Sequence, residues 1–222
     1  METKAEKPAL ERRSYEFQIR AAEGERGHFI SGRPIVFGSR TDLGWFDEII
    51  EPGALDKTDL TDVRFLVNHN TEMIPLARSR RNNANSTMLL AVVPEGLDII
   101  RVDLDTENNA DARALYSAVE RGDIDKMSFM FSVAEDQWED LDSDHPTRHI
   151  TSIASVVEVS AVTWPAYDAT EIFARGKEAL EKARATVETA RQQRKANAPE
   201  GVDKNTDALA LAKAKLNLIT GG

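Results

Sequence analysis

Two strand-like runs on either side of a short acidic turn constrain this chain more than any other feature. In Asp125-Lys126-Met127-Ser128-Phe129-Met130-Phe131-Ser132-Val133, the residues Met127, Phe129, Phe131 and Val133 form one apolar face. Ser128, Met130 and Ser132 point the other way. Residues 150–163 form a second such run, and Asp142-Ser143-Asp144 supplies a turn between the two. A hairpin symmetric about Ser143 sets Ser128 against Glu158, Phe129 against Val157 and Val133 against Ile153. Directly opposed side chains share a face, with Cβ atoms roughly 4.5 to 5.5 Å apart. The register that buries the apolar residues together therefore also sets a carboxylate beside a serine, and a slip of one residue loses both features.

Most of the remaining body reads as strands. Tyr15, Phe17 and Ile19 alternate with Glu16, Gln18 and Arg20, and residues 29–37 continue the pattern around Gly32 and Pro34. Residues 45–50 and 64–68 are shorter candidates. Residues 88–93 and 97–104 flank Pro94-Glu95-Gly96, a hairpin with glycine in its turn. One helix interrupts the strands. Thr106 is placed to cap it, Glu107 and Asp111 lie near its positive end, Leu115, Ala118 and Val119 form its apolar face, and Gly122 ends it. The pattern predicts a mainly β chain with helices, of the α+β class, whose mostly antiparallel strands form a closed or nearly closed barrel.

All fourteen aromatic residues lie at or before Phe173, so the packed body is expected to span residues 15–174 after a disordered segment at 1–14. Residues 175–222 carry 10 basic and 6 acidic side chains, whereas residues 1–174 carry 18 and 32. An acidic body argues against nucleic acid as a ligand. The basic tail predicts one helix over residues 176–194, a linker near 196–206 and a second helix over 207–219. In the second, Leu209, Ala212, Leu216 and Ile219 make a narrow apolar stripe suited to a partner helix, as in a homo-oligomer. No run of 18 apolar residues occurs and Met1-Glu2-Thr3-Lys4 is polar, so the expectation is a soluble protein with no membrane partner. Cysteine is absent, which leaves hydroxyl, carboxylate, imidazole and amine groups for chemistry.

A serine nucleophile needs a base beside it, because an unassisted hydroxyl is a poor attacker at neutral pH. The histidines stand at 28, 69, 145 and 149. His69 follows Phe65-Leu66-Val67-Asn68 at the mouth of a strand, where a rigid element projects side chains into a site. A strand-end histidine and a polar outward face on the Ser128 strand account for the same pattern, so periodicity leaves both readings open. A metal hydrolase built on His69 and Glu72 with Asp103 or Asp105 is a further alternative, with few clustered ligands to support it.

Several motifs, in order, resemble the capsid-maturation (prohead) proteases of tailed phages. They are Ile49-Ile50-Glu51-Pro52-Gly53-Ala54, Phe65-Leu66-Val67-Asn68-His69, Pro75-Leu76-Ala77-Arg78, Ala112-Arg113, Arg121-Gly122-Asp123-Ile124 and Met127-Ser128-Phe129. The series closes with Glu158-Val159-Ser160-Ala161-Val162-Thr163-Trp164-Pro165-Ala166-Tyr167. The resemblance implies a β-barrel of the herpesvirus-protease type and a serine endopeptidase without cofactor or metal. It implies His69 as base, Ser128 as nucleophile and Glu158 as third member, with His149, Asp103 and Asp105 as rivals for that last place. It further implies action in the host cytoplasm, inside the immature capsid, on the major capsid protein and its scaffolding segment and on the enzyme itself. A scaffold-like assembly protein that keeps the fold with weak catalysis is the alternative. The chain departs from the family at Ala77, Lys126 and Met130, where glycine is expected.

Overall fold

The computed structural model describes residues 9–15, 19–164 and 169–196. In chain order the strands are β1 (Leu10–Tyr15), β2 (Arg20–Gly24), β3 (Gly27–Val36), β4 (Arg40–Asp42), β5 (Asp47–Ile50), β6 (Arg64–Val67), β7 (Ala77–Arg78), β8 (Met88–Val93), β9 (Gly96–Asp103), β10 (Lys126–Glu139) and β11 (Thr147–Val162). Helix α1 (Ala110–Glu120) separates β9 from β10, and α2 (Ala169–Ala196) follows β11. One sheet has the order β1-β10-β11-β5-β4, with β6 also on β11 and β7 on β6; the other has the order β2-β3-β9-β8.

The α+β class is as the pattern predicts, but the sheets do not close into a barrel. The outer edge of β11 is divided between two four-residue strands, β5 beside residues 147–150 and β6 beside residues 158–161. Neither pairs with the four-stranded sheet among the described residues, so the antiparallel barrel of the herpesvirus-protease type is not formed. Both of these pairings are parallel, a direction that side-chain alternation does not encode, since the period is two either way.

The N-terminal reading also changes. Disorder is expected through residue 14, yet Leu10–Tyr15 forms a strand on the edge of β10 away from β11, with Leu10 opposite Ser132 and Tyr15 opposite Met127. Phe17, the middle of the predicted first strand, lies outside the described residues. So do the predicted linker and second tail helix, apart from Ala196, which ends α2.

One hydrophobic cluster draws on both sheets and on α1, joining Ile30, Ile35, Leu97 and Ile99 to Phe65, Phe129, Phe131 and Ile150, with Leu115 and Val119. Each such side chain contributes roughly 1.5 to 3 kcal/mol on burial, which fixes β10 and β11 against the second sheet. Leu43, Phe46 and Leu180 form a smaller cluster. Asn109 rather than Thr106 caps α1, accepting from the Asp111 and Ala112 N–H groups at 2.9 and 3.2 Å. Thr106 instead meets His28 Nδ1 at 2.7 Å. Gly122, at φ 78°, ends the helix as the sequence predicts.

The central hairpin carries the site. Its register follows the predicted symmetry near the turn, where Glu139 faces Thr147 and Asp136 faces Ile150. Irregularities between Asp136 and Met130 then advance β11 by two residues, so Ser128 faces Ser160, Phe129 faces Val159 and Met130 faces Glu158. A net shift of two preserves the face of every side chain. Glu158 therefore stays on the Ser128 face, one pair further along.

Candidate active site

His69 is positioned by an unusual backbone. After β6 the chain turns through Asn68 at φ 52° and His69 at φ 54°, two consecutive left-handed residues that are not glycine. Such conformations cost on the order of 1 to 3 kcal/mol each and persist only where surrounding bonds hold them. Here the Asn68 N–H donates to Ala161 O at 2.9 Å, and its side chain donates to Thr163 Oγ1 at 3.1 Å while accepting from Thr163 N–H at 2.9 Å. The His69 N–H donates to Ser160 Oγ at 3.1 Å. The parallel pairing of β6 with β11 aims this turn across β11 toward β10.

The imidazole bridges the two predicted partners. His69 Nε2 lies 2.6 Å from Ser128 Oγ, and Nδ1 contacts Glu158 Oε1. An ionised carboxylate only accepts, so Nδ1 carries a proton in this pair and a neutral ring keeps its lone pair on Nε2 for the serine proton. The other carboxylate oxygen, Oε2, accepts from Ser160 Oγ at 2.7 Å. Ser128 and Ser160 are fully buried, and the His69 and Glu158 side chains are 8% and 4% exposed. Exclusion of water strengthens each of these electrostatic contacts. Met130 occupies the pair position opposite Glu158 and is buried, so the side chain standing where glycine is expected lies on the face that carries Ser128 and Glu158. Lys126 begins β10, and Ala77 is buried in β7.

The rivals for the third position lie elsewhere. His149 pairs through Nδ1 with Glu51 at 2.6 Å and through Nε2 with Glu139 at 3.3 Å. Asp103 pairs with Arg101, and Asp105 accepts from the Asn108 N–H at 3.0 Å. Those engagements also separate Asp103 and Asp105 from the ligand set of a metal hydrolase, and both ring nitrogens of His69 face protein groups.

Three supporting residues have no role in the sequence reading: Ser160 and Thr163, which stand there only within the closing motif, and Arg13. Ser160 lies two residues from Glu158 on the same face of a strand, a spacing that could have revealed it. On the opposite face of β10, Arg13 and Arg148 share a buried cluster with Glu11 and Glu48. Burial pushes the Glu11 carboxyl up, but the Arg13 and Arg148 charges overcome this and hold it below its ordinary value.

Residues 15–184 match the family model described as the caudovirus prohead serine protease. The chain belongs to this family. Neither a curated protein nor a solved structure matches it significantly. Prohead proteases are serine peptidases of phage capsid maturation, and the matched span holds His69, Ser128 and Glu158 together with the strands that carry them. Of β1, only Tyr15 falls within that span. No helix among the described residues is long and apolar enough to cross a membrane.

Proposed function

We propose that the chain is a prohead endopeptidase in which His69 is the general base, Ser128 the nucleophile and Glu158 the residue that orients the imidazole. The observation that carries this reading is the single imidazole in reach of both Ser128 Oγ, at 2.6 Å, and the Glu158 carboxylate. His69 Nε2 takes the Ser128 proton as Oγ attacks a peptide carbonyl carbon. The imidazolium formed is stabilised by Glu158, and Nε2 returns the proton to the departing amine. Water then attacks the acyl-enzyme by the same route, with His69 again taking and returning a proton.

Family membership supports capsid proteins as the substrates, with the major capsid protein and its scaffolding segment as the specific targets, cleaved within the immature capsid. Self-processing and oligomerisation through the tail helices belong to the same proposal. Co-expression with the capsid protein tests it. New termini identified by mass spectrometry are expected with the wild type, and their loss is expected in Ser128→Ala and His69→Ala. Glu158→Ala should retain a small residual rate. Cleavage that persists in Ser128→Ala would overturn the assignment.

A further inference from the structure

We propose that the edge of β10 away from β11 is the peptide groove and that β1 occupies it in place of a substrate. Glu48 there reads a basic residue at the position whose carbonyl reaches Ser128, and Arg148 reads an acidic residue two positions before it. The inference rests on the serine-peptidase reading above and specifies what that site takes.

Addition of a strand to a sheet edge is a general way for proteins to hold extended peptides, with main-chain bonds giving affinity and alternate side chains giving specificity. β1 lies on β10 in this manner over six pairs and brings Arg13 O to 2.7 Å from Ser128 Oγ. Alternate side chains of β1 enter the opposite face. Arg13 grips Glu48 with two bonds, Nε to Oε1 at 2.5 Å and Nη2 to Oε2 at 2.7 Å. Glu11 receives Arg148 through two bonds at 2.9 and 3.1 Å.

The charges outside β1 do not balance without an occupant. Arg148 also donates to Asp136 at 2.7 Å and to Glu48 at 3.1 Å, so one guanidinium faces two carboxylates, of which Glu48 is fully buried. A buried carboxylate in excess favours a cation beside it, and Arg13 supplies one. β1 thus presents an acidic–x–basic segment, and Leu10–Ser14 lie outside the span shared with the family.

Proton arithmetic shows why β1 can rest there uncut. Ser128 Oγ has one hydrogen and faces Arg13 O and His69 Nε2. Both bonds form together only when the serine donates to Arg13 O and Nε2 carries a hydrogen that it donates to the serine. The base is then already protonated and Arg13 O is bonded to the attacking hydroxyl. An occupant in this pose blocks the site without being hydrolysed.

The test uses the full chain and diisopropyl fluorophosphate, which reports the reactivity of Ser128 directly. Arg13→Glu places like charges together and should release β1, raising the rate of Ser128 phosphorylation at least tenfold over wild type. A synthetic peptide with the sequence of residues 8–17 should slow that reaction saturably, whereas the same peptide with its Glu11 and Arg13 equivalents exchanged should not. Hydrogen exchange on the wild-type chain gives a reading independent of the variant's folding: excess native-sequence peptide should speed exchange of residues 10–15, and the exchanged peptide should leave it unchanged. Equal rates in Arg13→Glu and wild type, or equal effects of the two peptides, would overturn the proposal while leaving Ser128 as the nucleophile. Complete absence of labelling in both folded proteins would instead remove the serine-peptidase reading, and this one with it.

Discussion

Replacing Ser160 with alanine tests whether one hydroxyl holds both the base and its carboxylate. Its Oγ donates to Glu158 Oε2 at 2.7 Å and accepts from the His69 N–H at 3.1 Å, in a position with no solvent access. A hydrogen bond to an ionised group contributes about 1.5 to 3 kcal/mol, and one between neutral groups about 0.5 to 1.5 kcal/mol. Losing both predicts a destabilisation of about 2 to 4.5 kcal/mol, because no water reaches the groups left behind. Hydrolysis should fall by about 10- to 100-fold if roughly 1.4 to 2.8 kcal/mol of this loss appears in the transition state. The matched control is Ser132→Ala. Its hydroxyl meets Ser155 Oγ at 2.9 Å in the same hairpin, a neutral pair, so its loss should cost about 0.5 to 1.5 kcal/mol with little change in rate. Urea unfolding gives the stabilities, and kcat/KM on a cleaved peptide gives the rates. If Ser160→Ala matched Ser132→Ala in both, the idea that Ser160 couples His69 to Glu158 would be wrong.

Gly96 has φ 151°, and a Cβ there would lie 1.9 Å from Ile35 O, so Gly96→Ala should destabilise the four-stranded sheet by more than about 3 kcal/mol; an unfolding midpoint near wild type would contradict this. At Asn68, both glycine and alanine remove the Thr163 bonds and should slow hydrolysis, but only alanine also meets the φ of 52°, so it should be the less stable by about 1 kcal/mol in thermal unfolding. The Glu51 hydrogen bond holds His149 above its ordinary value of 6.5, so its contribution is complete below about pH 6.5 and lost as pH rises through the raised value. The side chain is 22% exposed, which limits the effect to less than about 1 kcal/mol, and His149→Gln should flatten the Tm difference between about pH 6 and pH 8.5.

What could be read from the sequence, and what could not, divides along physical lines. Alternation of Met127, Phe129, Phe131 and Val133 is a local property, so it located β10, and symmetry about Ser143 gave the right pairing as far as Asp136 opposite Ile150 and again at Val133 opposite Ile153. Bulges respond to tertiary strain and carry no sharp local signature, so the pairing of Ser128 with Ser160 was not legible. Parity rescued the chemistry, because an even shift keeps Glu158 on the serine's face. Strand direction was hidden for a related reason: β5 and β6 run parallel to β11, and alternation looks the same in either sense. His69 could be placed at a strand mouth, but the left-handed turn that aims it depends on Thr163, 95 residues away.

β1 shows the limit most clearly. Leu-Glu-Arg-Arg-Ser is polar at alternate positions where a half-buried strand would be apolar, and by composition it belongs in solvent. Its burial becomes favourable only once Glu48 and Arg148 have been brought together on neighbouring strands by the parallel pairing of β5 with β11. A segment whose partner is made by the rest of the molecule is read by the folded protein as a ligand. On the proposal above, the Arg13–Glu48 pair is the contact at which a substrate segment competes with β1.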